Sequence, residues 1–365
     1  MATKSSYAFK PDYAIAPGAT LHETIESVGI SQAELAKRTG RPLKTINEII
    51  NGKAAITAET ALQLERVLGV PASFWNNLER NYRESLASLK EDKALKEIHE
   101  WVKSFPVKEL VKRNALAAYE DNIGLARALL QFFGVSSQAA WQQIWMSPQA
   151  AYRRSSAFEA SREATAAWLR LGELEAKKIQ VPEFNKSMFK QVLGSLHNVM
   201  GLSIAELKSR LTKECKSAGV KVVFVKELPG TRVHGAVRWV GETPVIQLSC
   251  RYKVEDIFWF TFFHEAGHVV LHGKRDVFLE DDSRDGDKED EANAFASNYL
   301  IPESEWRKFV ASRRFSETEV TTFAEQVGIP AGIVVGRLQH EKKILPSRLN
   351  FLKRRLDLTE SSVAA

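Results

Sequence analysis

Hydrophobic residues recur at helical spacing through the first part of the chain and at strand spacing only later. Residues 17–88 are predicted as short helices joined by brief turns, and residues 92–215 as further helix. Three runs rich in β-branched residues then predict strands: KVVFVK (221–226), HGAVRW (234–239) and PVIQLS (244–249). This order predicts an α+β protein whose small sheet lies in the C-terminal part.

Helical spacing returns after the strands. Residues 255–272 contain the dense apolar run IFWFTFF (257–263), which is far too short to span a bilayer but gives the helix a buried face. An acidic stretch, EDDSRDGDKEDE (280–291), leads into a helix predicted from about 288 to 300. A last helical segment begins at Glu317 and ends in a basic tail.

The helix at 255–272 carries the pattern His-Glu-x-x-His. Because residues four apart project from one face of a helix, His264 and His268 can direct both imidazoles at one ion. Glu265 is rotated by about 100° from His264, which is the position of a base that acts on water beside a catalytic zinc. Catalytic zinc sites usually have three protein ligands, so a third is expected downstream.

The apolar positions of the next helix favour one carboxylate as that third ligand. Glu289 lies three residues before Ala292 and falls on the inward stripe, whereas the alternatives Asp290 and Glu291 fall off it. The stripe consists of Ala292, Phe295, Ala296, Tyr299 and Leu300. Periodicity therefore favours Glu289 and leaves its two neighbours as alternatives.

Three further residues are assigned roles around this helix. His272, four residues after His268, is interpreted as a supporting or structural side chain rather than a ligand. Gly267 is expected to leave room near the metal. His234 begins a strand along which an extended peptide could lie. It is a second candidate catalytic residue, as a hydrogen-bond donor to the oxyanion.

The stretch RYKVEDIFWFTFFHEAGHVVLH (251–272), followed by EDEANAFASNYLIP (289–302), resembles the ImmA/IrrE family of zinc metallopeptidases. The resemblance reaches back to about Gly219 and weakly onward to Arg337. It implies a minimal zincin fold, a bound Zn²⁺, and a regulatory protein as substrate, often a repressor or antitoxin cut at few sites. Carried over by position, it implies the metal ligands His264, His268 and Glu289, with Glu265 as the catalytic glutamate.

Residues 31–53, SQAELAKRTGRPLKTINEIINGK, have the pattern of a helix-turn-helix. Ser31 is a predicted N-cap, and Glu34 is expected to complete a capping box. Gly40 allows the turn. The outward side chains of the second helix are expected to enter the major groove, and their neighbours suit phosphate contacts. The candidate DNA-binding residues are Gln32, Arg38, Lys44, Thr45, Asn47, Asn51 and Lys53.

Residues 17–79 resemble HigA-type antitoxins of the Xre helix-turn-helix class, most specifically at NGK (51–53) and LGVPASFWNNLE (68–79). The resemblance implies a homodimer that binds a palindromic double-stranded DNA operator, and such antitoxins often bind a small toxin as well. One departure is Arg41-Pro42-Leu43 at the start of the recognition helix, where Ser is common, and it leaves the operator sequence open.

Composition and charge agree with these roles. The 365-residue chain has a formal net charge of +6. The positive charge of the helix-turn-helix is concentrated in one segment, because residues 37–53 hold five basic residues against one acidic residue. Cys215 and Cys250 are the only cysteines, which fits a reducing cytoplasm and excludes a disulfide framework. The N-terminal segment lacks an apolar signal core. We therefore expect a cytoplasmic protein without a membrane partner.

The sequence predicts four parts: a helix-turn-helix domain (1–90), a helical connecting region (91–185), an ImmA/IrrE-like zincin domain (186–345) and a basic tail (346–365). The predicted function is a DNA-binding, antitoxin-like regulator whose zinc endopeptidase cleaves a repressor, antitoxin or toxin. The alternative is a non-proteolytic antitoxin or repressor whose zincin domain only binds a partner or senses a signal. A zinc hydrolase acting on small molecules is a third hypothesis.

Overall fold

The computed structural model describes two compact units. One comprises the described residues up to His99 together with Asp121–Ala126, and the other contains the remaining ones. The division at residues 90, 185 and 345 stays a prediction. The residues described are 11–119, 121–146, 162–249, 251, 253–272, 278–280 (backbone only) and 287–356.

The first unit is built from helices, as predicted. The segment Ala72–Glu97 is longer than the expected short helices, because it contains neither glycine nor proline to end it. The helices are α1 (Pro17–Val28), α2 (Gln32–Thr39), α3 (Leu43–Ile50), α4 (Ala58–Leu68) and α5 (Ala72–Glu97).

The predicted helix-turn-helix is α2 and α3. Ser31 Oγ accepts the backbone N–H of Glu34 at 3.1 Å, which confirms the N-cap. The capping box is only half formed, because Glu34 Oε1 accepts Arg38 Nε at 2.8 Å instead of turning back to Ser31. Gly40 has φ 70° and makes the turn. The unit packs around side chains that are at most 2% exposed: Leu21, Ile25, Leu35, Ile46, Ile49, Leu64 and Trp75.

The second unit adds helices around a small sheet, which confirms the α+β class. None of the helices in the described part of the chain has the length and apolar content that a membrane crossing needs. The first residues of α8 are counted with the first unit. The elements of the second unit are α6 (His99–Lys103), α7 (Val107–Lys112), α8 (Asn122–Phe133), α9 (Gln138–Trp145), α10 (Arg162–Lys177), α11 (Lys186–Ser195), α12 (Ile204–Ser217), β1 (Lys221–Phe224), β2 (Gly235–Val240), β3 (Thr243–Leu248), α13 (Glu255–Leu271), β4 (Phe278–Glu280), α14 (Asp287–Leu300), α15 (Glu303–Ala311), α16 (Glu317–Val327) and α17 (Ala331–His340).

The sheet has the order β1-β3-β2-β4. β1 runs parallel to β3, whereas β2 pairs antiparallel with both β3 and β4. The three predicted strands are present, shifted by a residue or two at their ends. β4 was missed because three residues beside an acidic stretch carry too weak an alternation to predict a strand.

Helix α13 is the centre of the second unit. It contacts β2 and β3 of the sheet as well as α14 and α17. Trp259, Phe262 and Phe263 are fully buried. A helix that is apolar on most of its surface is stable only when covered on several sides, and this one is.

The basic residues near the C-terminus pack against the start of α13. Lys353 Nζ lies 2.6 Å from Asp256 Oδ2, and Arg354 Nη2 lies 2.8 Å from Glu255 Oε1. Acidic side chains in the first turn of a helix interact favourably with its dipole, and here they also hold two cations. This part of the predicted basic tail is therefore bound to the unit, while residues 357–365 lie outside the described residues.

Candidate metal centre

His264, His268 and Glu289 form a cluster whose ligand atoms all lie within 4.8 Å of one another. The two Nε2 atoms are 3.0 Å apart. Glu289 approaches with Oε2 3.1 Å from His264 Nε2 and with Oε1 3.5 Å from His268 Nε2. The structure thus brings together the three residues predicted as ligands, one pair from α13 and one residue from α14.

Gly267 determines how closely α14 approaches α13. A Cβ at this position would lie 3.2 Å from Phe295 Cδ1 and 3.3 Å from Ala292 Cα. The missing side chain therefore makes space for the neighbouring helix, and the expectation that it leaves room near the metal stays a prediction. This close packing lets Glu289 reach the histidines from the first turn of α14.

Asn293 fixes the orientation of the first histidine. His264 Nδ1 lies 2.9 Å from Asn293 Oδ1. Because an amide oxygen only accepts, His264 Nδ1 carries the proton and Nε2 is left with its lone pair toward the cluster. Sequence reasoning quoted Asn293 only as part of a motif and gave it no role.

A second chain of contacts orients His268. Glu291 Oε2 lies 3.0 Å from His272 Nε2, and His272 Nδ1 lies 2.9 Å from His268 Nδ1. The Glu291 carboxylate accepts from His272 Nε2–H, and with that proton on Nε2 the Nδ1 atom of His272 accepts from His268 Nδ1–H. His268 Nε2 then also directs a lone pair at the cluster. This agrees with the supporting role expected of His272.

The donor set fits a divalent cation such as zinc. Two imidazole nitrogens and a carboxylate this close together need a shared proton or cation between them. Burial lowers the pKa of His268 to about 4, so its imidazole is neutral near pH 7. Burial raises the pKa of Glu289, but in the metal-free protein a proton shared with the His264 and His268 imidazoles outweighs burial and lowers the pKa to about 2. Neutral imidazoles and an anionic carboxylate are the protonation states that bind zinc.

Glu265 is completely buried and lies against the start of β2. A Cβ at Gly235 would stand 2.6 Å from Glu265 Oε1 and 2.8 Å from Thr261 Cγ2. Gly235 is a site residue that sequence reasoning missed. A glycine inside a predicted strand was the available signal, because it often marks close approach of another group to the backbone.

His234 stands next to this contact and outside the three-residue cluster. Its backbone oxygen accepts the N–H of Ser249 at 2.8 Å, and it lines a small recess with Thr261. Its neighbour Gly235 is the residue that touches Glu265. The role of His234 at an oxyanion stays a prediction.

The candidate DNA-binding residues all lie on α2, on α3 or directly after α3. Three have side-chain contacts within the described residues. Arg38 Nε donates to Glu34 Oε1 at 2.8 Å, Lys44 Nζ lies 3.9 Å from Glu48 Oε1, and Asn51 Nδ2 donates to the backbone oxygen of Asn47 at 2.7 Å. Arg38, Lys44, Asn51 and Lys53 are exposed, and Gln32, Thr45 and Asn47 are half-buried. Their contact with DNA stays a prediction.

Two regions of the chain match known families. Residues 215–339 match the IrrE N-terminal-like domain, and residues 21–75 match a helix-turn-helix family.

The chain is 40% identical over 70 residues to virulence-associated protein I of Dichelobacter nodosus, covering 19% of this chain and 65% of that protein. It is 32% identical over 63 residues to the uncharacterized HTH-type transcriptional regulator YddM of Escherichia coli (strain K12), covering 17% of this chain and 67% of that protein. The chain thus spans slightly less than two thirds of the first relative.

Among solved structures, similar chains include two antitoxins. An addiction module antidote protein of a HigA family from Coxiella burnetii is 34% identical, with 23% of this chain and 92% of that chain covered and a TM-score of 0.22. The Pseudomonas aeruginosa antitoxin HigA, solved with the higBA promoter, is 32% identical, with 22% and 89% covered and a TM-score of 0.22.

Proposed function

Residues 21–75 belong to the helix-turn-helix family and residues 215–339 to the family of IrrE N-terminal-like domains, and on this premise we propose a DNA-binding regulator with a zinc-dependent endopeptidase. The observation that carries the peptidase is the cluster of the buried His264 and His268 with the half-buried Glu289, next to the buried Glu265. A zinc that only holds the fold together would not require that glutamate.

The chain's own residues have separable tasks in this reaction. His264, His268 and Glu289 would hold the zinc, which when bound supplies a Lewis acid that activates water and polarises the scissile carbonyl. Glu265 takes a proton from the attacking water and passes it to the leaving amine. Asn293 keeps the His264 imidazole in the required tautomer.

The substrate we propose is a regulatory protein partner: a repressor, an antitoxin or a toxin. The proposal for the N-terminal unit is that α3 enters the major groove of an operator and that the protein binds as a homodimer. The net excess of four positive charges over residues 37–53, counted as five basic against one acidic residue, supports an anionic partner on this face.

A second candidate function is a non-proteolytic regulator whose zincin domain binds a partner or senses a signal. The observation that favours it is burial: Glu265 is 0% exposed, and His264 and His268 are each 1% exposed. A peptide carbonyl must reach these groups to be cut, whereas a sensor domain has no such requirement.

One comparison separates the two candidates. Zinc-loaded wild type and Glu265→Gln are incubated with the proteins encoded beside this one, and the products are resolved by mass spectrometry. The peptidase proposal expects new fragments with wild type and with the exposed control Glu317→Gln, and none with Glu265→Gln. Identical product patterns for wild type and Glu265→Gln reject the peptidase and leave the non-proteolytic regulator.

A further inference from the structure

Strand β4 lies along the edge of β2 that faces away from β3. Its three residues are paired antiparallel with the first three residues of β2: Gly235 with Glu280, Ala236 with Leu279 and Val237 with Phe278. At these positions β2 has a strand on both sides, so neither of its edges is available there to a strand of another protein.

The covered part of β2 is the part beside the proposed catalytic base. Gly235 is in contact with Glu265, and β4 itself contacts helix α13, which carries Glu265 and two of the candidate ligands. Glu265, His264 and His268 are all buried. β4 is therefore placed next to a group of candidate catalytic side chains that is closed to solvent.

A peptide substrate would need the same place. An extended peptide commonly binds by adding a strand to the edge of a sheet, where backbone hydrogen bonds hold it. One edge of β2 is paired with β3 over the whole length of the strand. The other edge is the one that β4 covers from Gly235 to Val237. A substrate strand beside Glu265 can therefore pair with β2 only where β4 now lies.

The length of β4 allows it to be displaced. β4 has three residues, whereas β3 pairs with all six residues of β2. A strand of three residues forms few backbone hydrogen bonds, and short elements at the edge of a fold are among the parts that open at the lowest free energy. An extended segment of another protein can therefore compete with β4 for β2.

We propose that β4 occupies the substrate position on β2 and keeps the peptidase latent until an extended segment of the partner protein replaces it. This rests on the proposed function, because only a peptidase needs a substrate strand beside Glu265. Displacement of β4 opens the site on the β2 side, which accounts for a buried catalytic group in a working enzyme. The substrate must then offer a segment outside stable secondary structure, since a helical segment cannot pair as a strand.

Peptide binding tests the covered edge without a metal and without cleavage. The probe is a fluorescent peptide with the sequence of residues 274–282, KRDVFLEDD, and its Kd for the full-length protein is measured by fluorescence anisotropy. Phe278→Pro/Leu279→Pro removes two adjacent amide donors of β4. One of them must face β2, because successive amides of a strand point to opposite edges. We expect this variant to bind the probe at least about tenfold more tightly than wild type does.

A second probe, carrying the same Phe278→Pro/Leu279→Pro change, lacks these amides and should not bind. Probe binding by the proline variant that is no tighter than that of wild type overturns the proposal. Equal binding of the two probes overturns it as well, because it would show that the peptide does not pair as a strand.

A disulfide that holds β4 on β2 tests the same strand through cleavage. Ala236 and Leu279 are directly opposite each other, so their Cα atoms are within the roughly 4.4–6.8 Å that a disulfide spans. Because Gly235 faces α13, Ala236 faces the other side of the sheet, away from the metal cluster. Oxidised Ala236→Cys/Leu279→Cys should not cleave the partner protein, and reduction should restore cleavage. Ala236→Ser/Leu279→Ser, treated with the same oxidant, is the control and should cleave throughout.

The two experiments separate this proposal from the peptidase itself. If wild type cleaves the partner and the oxidised cysteine variant cleaves it at the same rate, β4 does not occupy the substrate position. If no form cleaves the partner, the peptidase is rejected, and probe binding alone decides whether β4 covers a peptide-binding edge. The disulfide variant keeps the backbone of β4 in place, so it remains decisive if the proline variant folds poorly.

Discussion

Gly235 and Glu265 are in direct contact, with the position of a Cβ on Gly235 only 2.6 Å from Glu265 Oε1. The contact joins the first residue of β2 to the catalytic candidate on α13. Real Cβ atoms do not come this close to a carboxylate oxygen, so any larger residue at 235 must move Glu265. The glycine is therefore a positioning residue for the proposed base.

Gly235→Ala should reduce cleavage of the partner protein by about 100-fold, because a misplacement of roughly 1 Å has that effect on a catalytic group. Zinc stoichiometry, measured by elemental analysis, should remain one per chain, since the three ligands are elsewhere. Gly194→Ala is the matched control: nothing lies within 4 Å of its added Cβ. Equal activity of Gly235→Ala and wild type would show that Glu265 tolerates displacement.

Asn293→Ala removes the acceptor that holds His264 Nδ1–H. Loss of such an outer partner typically lowers metal affinity by about 10- to 100-fold. Competition with a chromophoric chelator measures the zinc Kd, and the exposed Asn298→Ala on the same helix serves as the control. Unchanged affinity in Asn293→Ala would mean that α14 does not orient this ligand.

The candidate ligand set could be predicted from the sequence, whereas the contacts that position the residues around it could not. His264 and His268 follow from spacing within one helix, and Glu289 follows from the stripe of the next helix. The contacts of Gly235 and Asp256 join segments far apart in the chain, so they depend on packing and register that no local pattern encodes. Likewise, Gly267 was known to be a small residue, but only the helix packing reveals which neighbour needs the space.

The stability of the metal-free protein should fall as the pH is lowered from about 6.5 toward 4. Burial lowers the pKa of His268 to about 4 from the ordinary histidine value of about 6.5, so within this window the unfolded chain binds a proton that the folded chain does not. The linked loss is at most about 3 kcal/mol. Urea unfolding at several pH values measures it, and His268→Gln should flatten the slope. The same slope in both proteins would rule out His268 as its source.

Lys53→Ala, at an exposed position just after α3, should weaken DNA binding by a similar factor for all sequences and reduce the salt slope by about one, because a phosphate contact releases counterions. Asn47→Ala should instead cost about 1–3 kcal/mol on the operator and little on unrelated DNA, as expected for a base contact. Fluorescence anisotropy at several salt concentrations separates the two effects. Lys93→Ala, exposed on α5, is the control for loss of one charge. Wild-type affinity and slope in both variants would argue against α3 as the recognition helix.

Lys353→Met should destabilise the second unit by about 3–5 kcal/mol, since it leaves the Asp256 carboxylate buried without its cation. The two side chains are 15% and 6% exposed, so water screens the pair only weakly. The double variant Asp256→Asn/Lys353→Met removes both charges and should recover a large part of the loss. Lys343→Met, on an exposed lysine, controls for the change in side chain. The free energy of unfolding in urea, measured for all variants, gives the coupling energy of the pair. A value near zero would show that the C-terminal segment stays on α13 through its apolar contacts, such as that of the buried Leu356.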